Sequence, residues 1–346
     1  MAKKSRTSQK TASAAASTRG PFVSRPWLAV FKAVTSLVLA AIYSSISQLS
    51  LSPVYGSTPS RTYHQALSIT GLLTGFALQY CLPVRVGEKS AHLLPAFALS
   101  IPTIQFYLER QSSNLGNPLG PPVTELLTVF PLILLSAITY SASFSTLQLK
   151  KHGTTVSQSI TFISGLFLFT FVKKTAETSL PRVVASNLLL NSSGLQLVLG
   201  TLYISAFPSV WVLFALPSLF FSLIWNVHMP FNWTTTVLNS TLHEIGYSLV
   251  DRRESITGYI SVLDNTQAGF RAMRCDHSLL GGEWTGLPAG YAPKVADPIY
   301  AVFTMLEAVR LAESEENQTE RADNDKTALV MYESLRRIHS DDLSYG

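Results

Sequence analysis

Acidic residues are nearly missing from the first two thirds of this sequence. Of 21 Asp and Glu, none falls in residues 1–26 and four fall in residues 27–230; the other seventeen come after. Lys and Arg divide as six, ten and ten over the same blocks, so the net charge of +5 separates into +6, +6 and −7. The basic excess sits in the tail or beside apolar segments, where membrane topology places it, and no nucleic-acid partner is expected. Cysteine is scarce as well. Cys81 and Cys275 stand far apart and make neither a metal-ligand spacing nor a disulfide framework, so both are expected to be unpaired thiols. No G-x-S-x-G elbow occurs, which leaves a serine hydrolase unsupported. His243-Glu244 fails the HExxH pattern because Tyr247 holds the last position, and no metal site is expected.

What the sequence has is long apolar runs. A helix needs roughly 20 mainly apolar residues to cross the hydrocarbon core. Candidates are 28–48, 65–83, 91–108, 123–144 and 156–172. The stretch that follows is too long for one straight span, and Pro208 divides it into 188–206 and 209–227. The fold expected is a polytopic α-helical membrane bundle of about six to eight spans over residues 27–230, behind a disordered basic tail, 1–26. The lipid bilayer is the first partner. The tail's Lys and Arg place the N-terminus in the cytosol, in an endomembrane; a mitochondrial membrane is the alternative that an Arg- and Ser-rich leader leaves open. Arg85, Lys89, Lys150 and Lys151 obey that orientation, whereas Lys173, Lys174 and Arg182 break the alternation. Six or eight spans would leave the C-terminal part cytosolic, and seven would put it in the lumen.

Ionisable residues inside the spans are few. Lys32 can snorkel to the interface, and Glu125 sits at the N-terminal end of a span, where the helix dipole tolerates an acid. Neither suggests a pump. Proline within the apolar runs reads as kinks tolerated in lipid.

From Glu254 the period changes to two. Strands on either side of an Asn265–Gly269 connection predict a β-hairpin over roughly 255–276. A Gly- and Pro-rich loop follows, then a helix that starts with Asp297 and Pro298 and runs through IYAVFTMLEAVRLAE. After an acidic linker, KTALVMY begins like a buried strand. The expected C-terminal part is therefore a small α+β domain with a β-hairpin and one helix, over residues 231–330 with its linker, and an atypical tail over 331–346. Arg252, Arg253, Arg271 and Arg274 lie among acids and read as a solvated face. Trp284 reads as an aromatic that anchors its loop to the hairpin.

The segment SITGYISVLDNTQAGFRAMRCDHSLLGGEW, followed by PIYAVFTMLEAVRLAE and KTALV, resembles the N-terminal β-domain of the spermidine/spermine synthase family, and more closely its fungal membrane-anchored members. The resemblance covers about 75 residues. It implies that Tyr259, Asp276 and His277 border a substrate pocket. Three departures stand out. His277 replaces the family's glycine, Thr304 removes a carboxylate from the pocket helix, and KTALV runs into Met331-Tyr332-Glu333 without a Gly-rich turn. The resemblance thus implies a truncated transferase of polyamine biosynthesis, with no cofactor held in this chain. A full-length relative would use S-adenosylmethionine or its decarboxylated form. Further expectations are a homo-oligomer formed through the hairpin domain, or an anchor that pairs with a full-length homologue. A small-molecule transporter is the remaining alternative.

Overall fold

A computed structural model describes residues 26–81, 83–116, 118–146, 154–184, 190–255, 258–276, 278–286, 327–332 and 334–339. Helix α1 (Pro26–Tyr55) is followed by the short α2 (Ser57–Thr62), α3 (His64–Cys81), α4 (Val84–Glu109) and the single turn α5 (Ser112–Leu115). Then come α6 (Gly120–Leu127), α7 (Val129–Thr146), α8 (Thr154–Val183), α9 (Ser192–Ala206), α10 (Val212–Ile224) and α11 (Asn232–Glu244). Each expected span overlaps a helix among the described residues, and 123–144 is divided between α6 and α7. Among the described residues, four stretches are long and apolar enough to cross a membrane: Trp27–Tyr55, Lys89–Glu109, Gly120–Phe144 and Gln158–Leu180.

Proline sets two of the boundaries. Pro208 lies between α9 and α10, as expected. Pro131 has no N–H to give to the carbonyl of Leu127, and the helix breaks beside it at Thr128, which separates α6 from α7. Pro53, Pro95, Pro102 and Pro217 are carried inside continuous helices.

Successive long helices reverse direction. At one end, Ser50 near the close of α1 bonds Gln105 near the close of α4 (3.1 Å), which accepts from Gln196 at the start of α9 (2.8 Å). At the other end, Tyr80 near the close of α3 donates to the carbonyl of Gln158 at the start of α8 (3.3 Å). Helices α1, α4 and α7 form the centre, with α3, α8, α9 and α10 around them. One apolar cluster joins Tyr43, Ile46, Leu94, Ala98, Leu132, Leu199 and Tyr203; a second joins Leu37, Leu72, Phe76, Ile133, Tyr140 and Phe169. Lipid-like surroundings give helices little hydrophobic reason to associate, so close packing and buried hydrogen bonds must do it. Both are present. A Cβ added at Gly75 would stand 2.6 Å from the Leu134 carbonyl, so only glycine lets α3 approach α7 there. The Tyr43 hydroxyl donates to the Ala98 carbonyl at 2.8 Å. The outward faces are apolar: Phe167 is 69% exposed on α8 and Phe214 76% on α10.

Strands β1 (Tyr247–Ser255), β2 (Gly258–Asn265), β3 (Phe270–Cys275) and β4 (Ser278–Trp284) form an antiparallel meander in sequence order. The expected hairpin is β2–β3, in which Asn265 pairs with Phe270 and Ile260 with Cys275. It is half of a larger sheet, because β1 and β4 flank it. Trp284 packs edge-on against Phe270, anchoring the strand end to the hairpin as expected. The helix expected after Asp297 lies outside the described residues. Strand β5 (Thr327–Tyr332) falls where KTALVMY suggested one, and β6 (Ser334–His339) pairs with it antiparallel.

Candidate functional site

The sheet meets the bundle at one polar joint. Its floor comes from α4, which brings Gln105 and Glu109, and from α1, which brings Ser50 and Pro53. The α10–α11 connection supplies Asn226 and His228, the start of α9 supplies Ser192 and Ser193, and the sheet supplies Glu254 and Tyr259. These residues enclose a cavity of about 20 Å³. That is room for one water and not for an amino acid.

Three contacts fasten the joint. His228 Nε2 lies 3.1 Å from Glu109 Oε2. Glu254 Oε2 accepts the Ser192 N–H at 2.7 Å, which places a carboxylate at the positive end of α9, beside the Asn191 side chain that accepts from Gly194 N–H. Arg252 is the third and was not legible as such. It reads as part of a solvated face, yet it is buried. Its guanidinium donates to the carbonyls of Val227 and Met229, to the Thr235 hydroxyl at 2.8 Å and to the Tyr259 hydroxyl at 3.3 Å. It thereby closes the α10–α11 turn over β1. Arg271 does sit on the exposed face, in a bidentate pair with Asp264 at 2.7 and 3.0 Å.

The joint is electrostatically tense. Burial pushes the Glu254 carboxyl up, and the Ser192 N–H offsets that only in part. Burial pulls the His228 imidazole down, but the charge of Glu109 and its hydrogen bond outweigh this, so the net shift is upward. Burial also raises the Tyr259 hydroxyl, with Arg252 opposing.

Of the sequence-predicted site residues, Tyr259 and Asp276 come together. The Tyr259 N–H donates to Asp276 Oδ1 at 2.8 Å, and the Asp276 N–H donates to the Tyr259 carbonyl at 2.9 Å. Asp276 has φ 51°, the turn that its place between strands called for. A Cβ on Gly258 would stand 2.5 Å from its carboxylate, so the glycine makes room for that closure. His277 lies outside the described residues.

A second polar cluster is inside the bundle. Glu125, expected at the N-terminal end of a span, lies near that end and is 2% exposed, with Oε1 2.5 Å from His64 Nδ1. Nε2 of His64 meets the Ser44 hydroxyl at 3.1 Å, and Ser44 meets Ser68 at 3.0 Å. The sequence could not show this, because the partners lie on α1, α3 and α6.

No protein-family model matches the chain, and no solved structure matches it. A curated protein does. The chain is 44% identical over 298 residues to the N-terminal histidine N-methyltransferase of Emericella nidulans, a match that takes in 85% of this chain and 53% of that protein. This chain is a relative of that methyltransferase. It spans about half of the relative's length.

The match corrects the sequence reading. The chain is not assigned to the spermidine/spermine synthase family, and polyamine aminopropyl transfer is withdrawn with it. The readings as a membrane anchor for a full-length homologue and as a transporter go as well; a homo-oligomer formed through the hairpin domain stays a proposal. The physical reason lies in the residues that carried the resemblance. Tyr259 and Asp276 recur in such a segment because they close a hairpin, and that geometry is indifferent to the substrate. The departures at His277 and Thr304 were the informative signal. Two of the cavities suit an adenosyl methyl donor poorly: the joint is water-sized, and the larger cleft beside α8 is lined by cations that would oppose a sulfonium.

Proposed function

We propose that this protein belongs to a methyltransferase that works from a membrane and acts on histidine at peptide N-termini. The carrying observation is the 44% identity to the N-terminal histidine N-methyltransferase, which extends over 85% of the chain and so includes the helical bundle as well as the sheet. A sulfonium donor of the S-adenosylmethionine type would supply the methyl group, and the nitrogen that receives it would lose its proton. The role of the described residues in this reading is to hold the sheet, through Arg252, Glu254 and His228, at one face of the membrane. Tyr259, Asp276 and His277 remain candidates for the surface that faces the peptide.

Topology belongs to the same proposal. In this reading the four long spans are joined by the shorter α3, α9 and α10, seven segments that alternate in direction, so that tail and sheet lie on opposite faces. With the basic tail in the cytosol the sheet is lumenal, in an endomembrane. The division into a tail (1–26), a bundle (27–230), a sheet domain with linker (231–330) and a terminal segment (331–346) follows the same plan.

The test uses membranes carrying the protein, S-adenosylmethionine, and three peptides that differ only at the first residue: His, Ala, and N-acetylated His. Mass spectrometry should show one added methyl group, on the histidine of the first peptide and at the lowest yield on the second. An unmodified His peptide, or equal methylation of the Ala peptide, contradicts the proposal.

A further inference from the structure

Lys173 and Lys174 break the alternation of basic loops, and the structure shows what surrounds them. Both line a cleft of about 330 Å³ between α1, α3 and α8, with Arg61 of α2, Gln48, Gln65, Ser68, Phe169 and Glu177. His64, whose imidazole is bound to Glu125, forms part of its wall. A second hollow of about 190 Å³ shares Gln48, Arg61 and Glu177 with it and continues along Leu49, Leu180 and Val184.

Three cations and one carboxylate face this space. Lys173 Nζ pairs with Glu177 at 2.9 Å. Among the described residues, Arg61 and Lys174 have no ion-pair partner, so the cleft keeps an excess of positive charge. Arg61 follows the end of α1, and Lys173 and Lys174 come in the second half of α8, so all three lie toward the same end of the bundle. Below them Ile69 lines the wall, and the fully buried Phe169 closes the space toward the core. The outer face of α8 is apolar too, with Ile163 and Phe167 exposed. Cations above an apolar, laterally open wall match an anionic headgroup over an acyl chain. A free anion would use the cations and leave the wall bare. A zwitterionic lipid would bring an ammonium against Arg61 and Lys174.

We propose that the cleft between α1, α3 and α8 is a binding site for an anionic phospholipid, its phosphate held by Arg61 and Lys174 and an acyl chain leaving over Ile69. The site is separate from the joint and does not depend on the methyltransferase reading. It gives the exception to the positive-inside pattern a local cause: these cations serve a ligand, not topology.

The full chain, delipidated in detergent, is titrated with dioleoylphosphatidylserine and with dioleoylphosphatidylcholine and read by native mass spectrometry. The expected result is one phosphatidylserine per chain, bound about tenfold more tightly than phosphatidylcholine, with the preference abolished in R61Q/K174Q and kept in R61K/K174R. A tenfold preference corresponds to about 1.4 kcal/mol, within reach of two charge-assisted contacts. Inorganic phosphate in excess should leave the bound lipid in place. Equal binding of the two lipids, an unchanged preference in R61Q/K174Q, loss of preference in R61K/K174R, or displacement by phosphate alone would overturn the proposal. Unfolding temperature, measured on each variant, separates a lost site from a lost fold, and an R61Q/K174Q chain that unfolds early is replaced by the single variants R61Q and K174Q, each expected to lose part of the preference.

Discussion

The bundle and the sheet solve the burial of polar groups in opposite ways. In the bundle, apolar clusters surround small closed sets of polar side chains, such as Ser44, His64, Ser68 and Glu125. In the sheet, only Leu263, Ala272 and Arg252 are buried among the described residues of β1 to β4. Four strands with two buried apolar side chains do not make a core, and a sheet of that size needs something to pack on. The bundle provides it through Arg252, Glu254 and the α9 N-terminus. The lesson is one of dependence: the bundle should stand without the sheet, and the sheet should not order without the bundle's end.

That contrast can be broken from either side. The largest effect is expected inside the bundle. His64→Ala leaves Glu125 buried without its imidazole, and should cost about 3–5 kcal/mol, read as thermal loss of helical circular dichroism in detergent. The double replacement His64→Leu/Glu125→Leu should recover most of that loss, since it removes both polar groups. A double variant as weak as the single one would show that the orphaned acid is not the cause.

Next comes the joint. Arg252→Ala removes the donor to the Val227 carbonyl and one of the donors to the Met229 carbonyl and should cost about 2–3 kcal/mol, confined to the sheet. Amide hydrogen exchange should speed up across β1 and β2 while α1, α4 and α7 stay protected. Equal loss of protection in both regions would show that they unfold as one unit. Gly75→Val forces a side chain against the Leu134 carbonyl and should lower bundle stability by about 1–3 kcal/mol, visible as a lower unfolding temperature.

The smallest effect is that of pH on the joint. His228 and Glu254 both titrate above their ordinary values in the folded protein. A raised folded value adds stability that is complete below the unfolded pKa and is lost as pH climbs through the folded one. For Glu254 the loss starts above the ordinary carboxyl range, and for His228 above about 6.5. Protease cleavage in β1 should therefore be faster at about pH 8.5 than at about pH 5.5, and His228→Gln should flatten the upper part of that profile. A sheet attached more firmly at high pH would contradict the assignment.

The helices were legible because apolar length and proline mark them. Pro208 separated two helices correctly, and Pro131 accounts for the break at Thr128. The hairpin was legible from the Asn265–Gly269 turn. Strand β1 was not, since Asp251-Arg252-Arg253-Glu254 reads as a solvated stretch until α11 and the α10–α11 turn are seen to cover Arg252. His64 and Glu125 were missed for a similar reason: each is unremarkable on its own helix, and only the packing of α3 against α6 joins them. Function was least legible. The hairpin residues carry closure geometry, which unrelated chemistries share, and it took a match extending through the helices to redirect the reading toward methyl transfer.

In the proposed topology the bundle holds the sheet on the face opposite the basic tail. Membrane-impermeant maleimide labelling in sealed endomembrane vesicles tests it most directly, in a Cys81→Ser/Cys275→Ser background with one cysteine at Ser8 in the tail or at Gln267 in the exposed β2–β3 turn. The account predicts that Ser8→Cys reacts in intact vesicles and that Gln267→Cys reacts only after detergent opens them. Labelling of Gln267→Cys in intact vesicles, at the rate of Ser8→Cys, would contradict it.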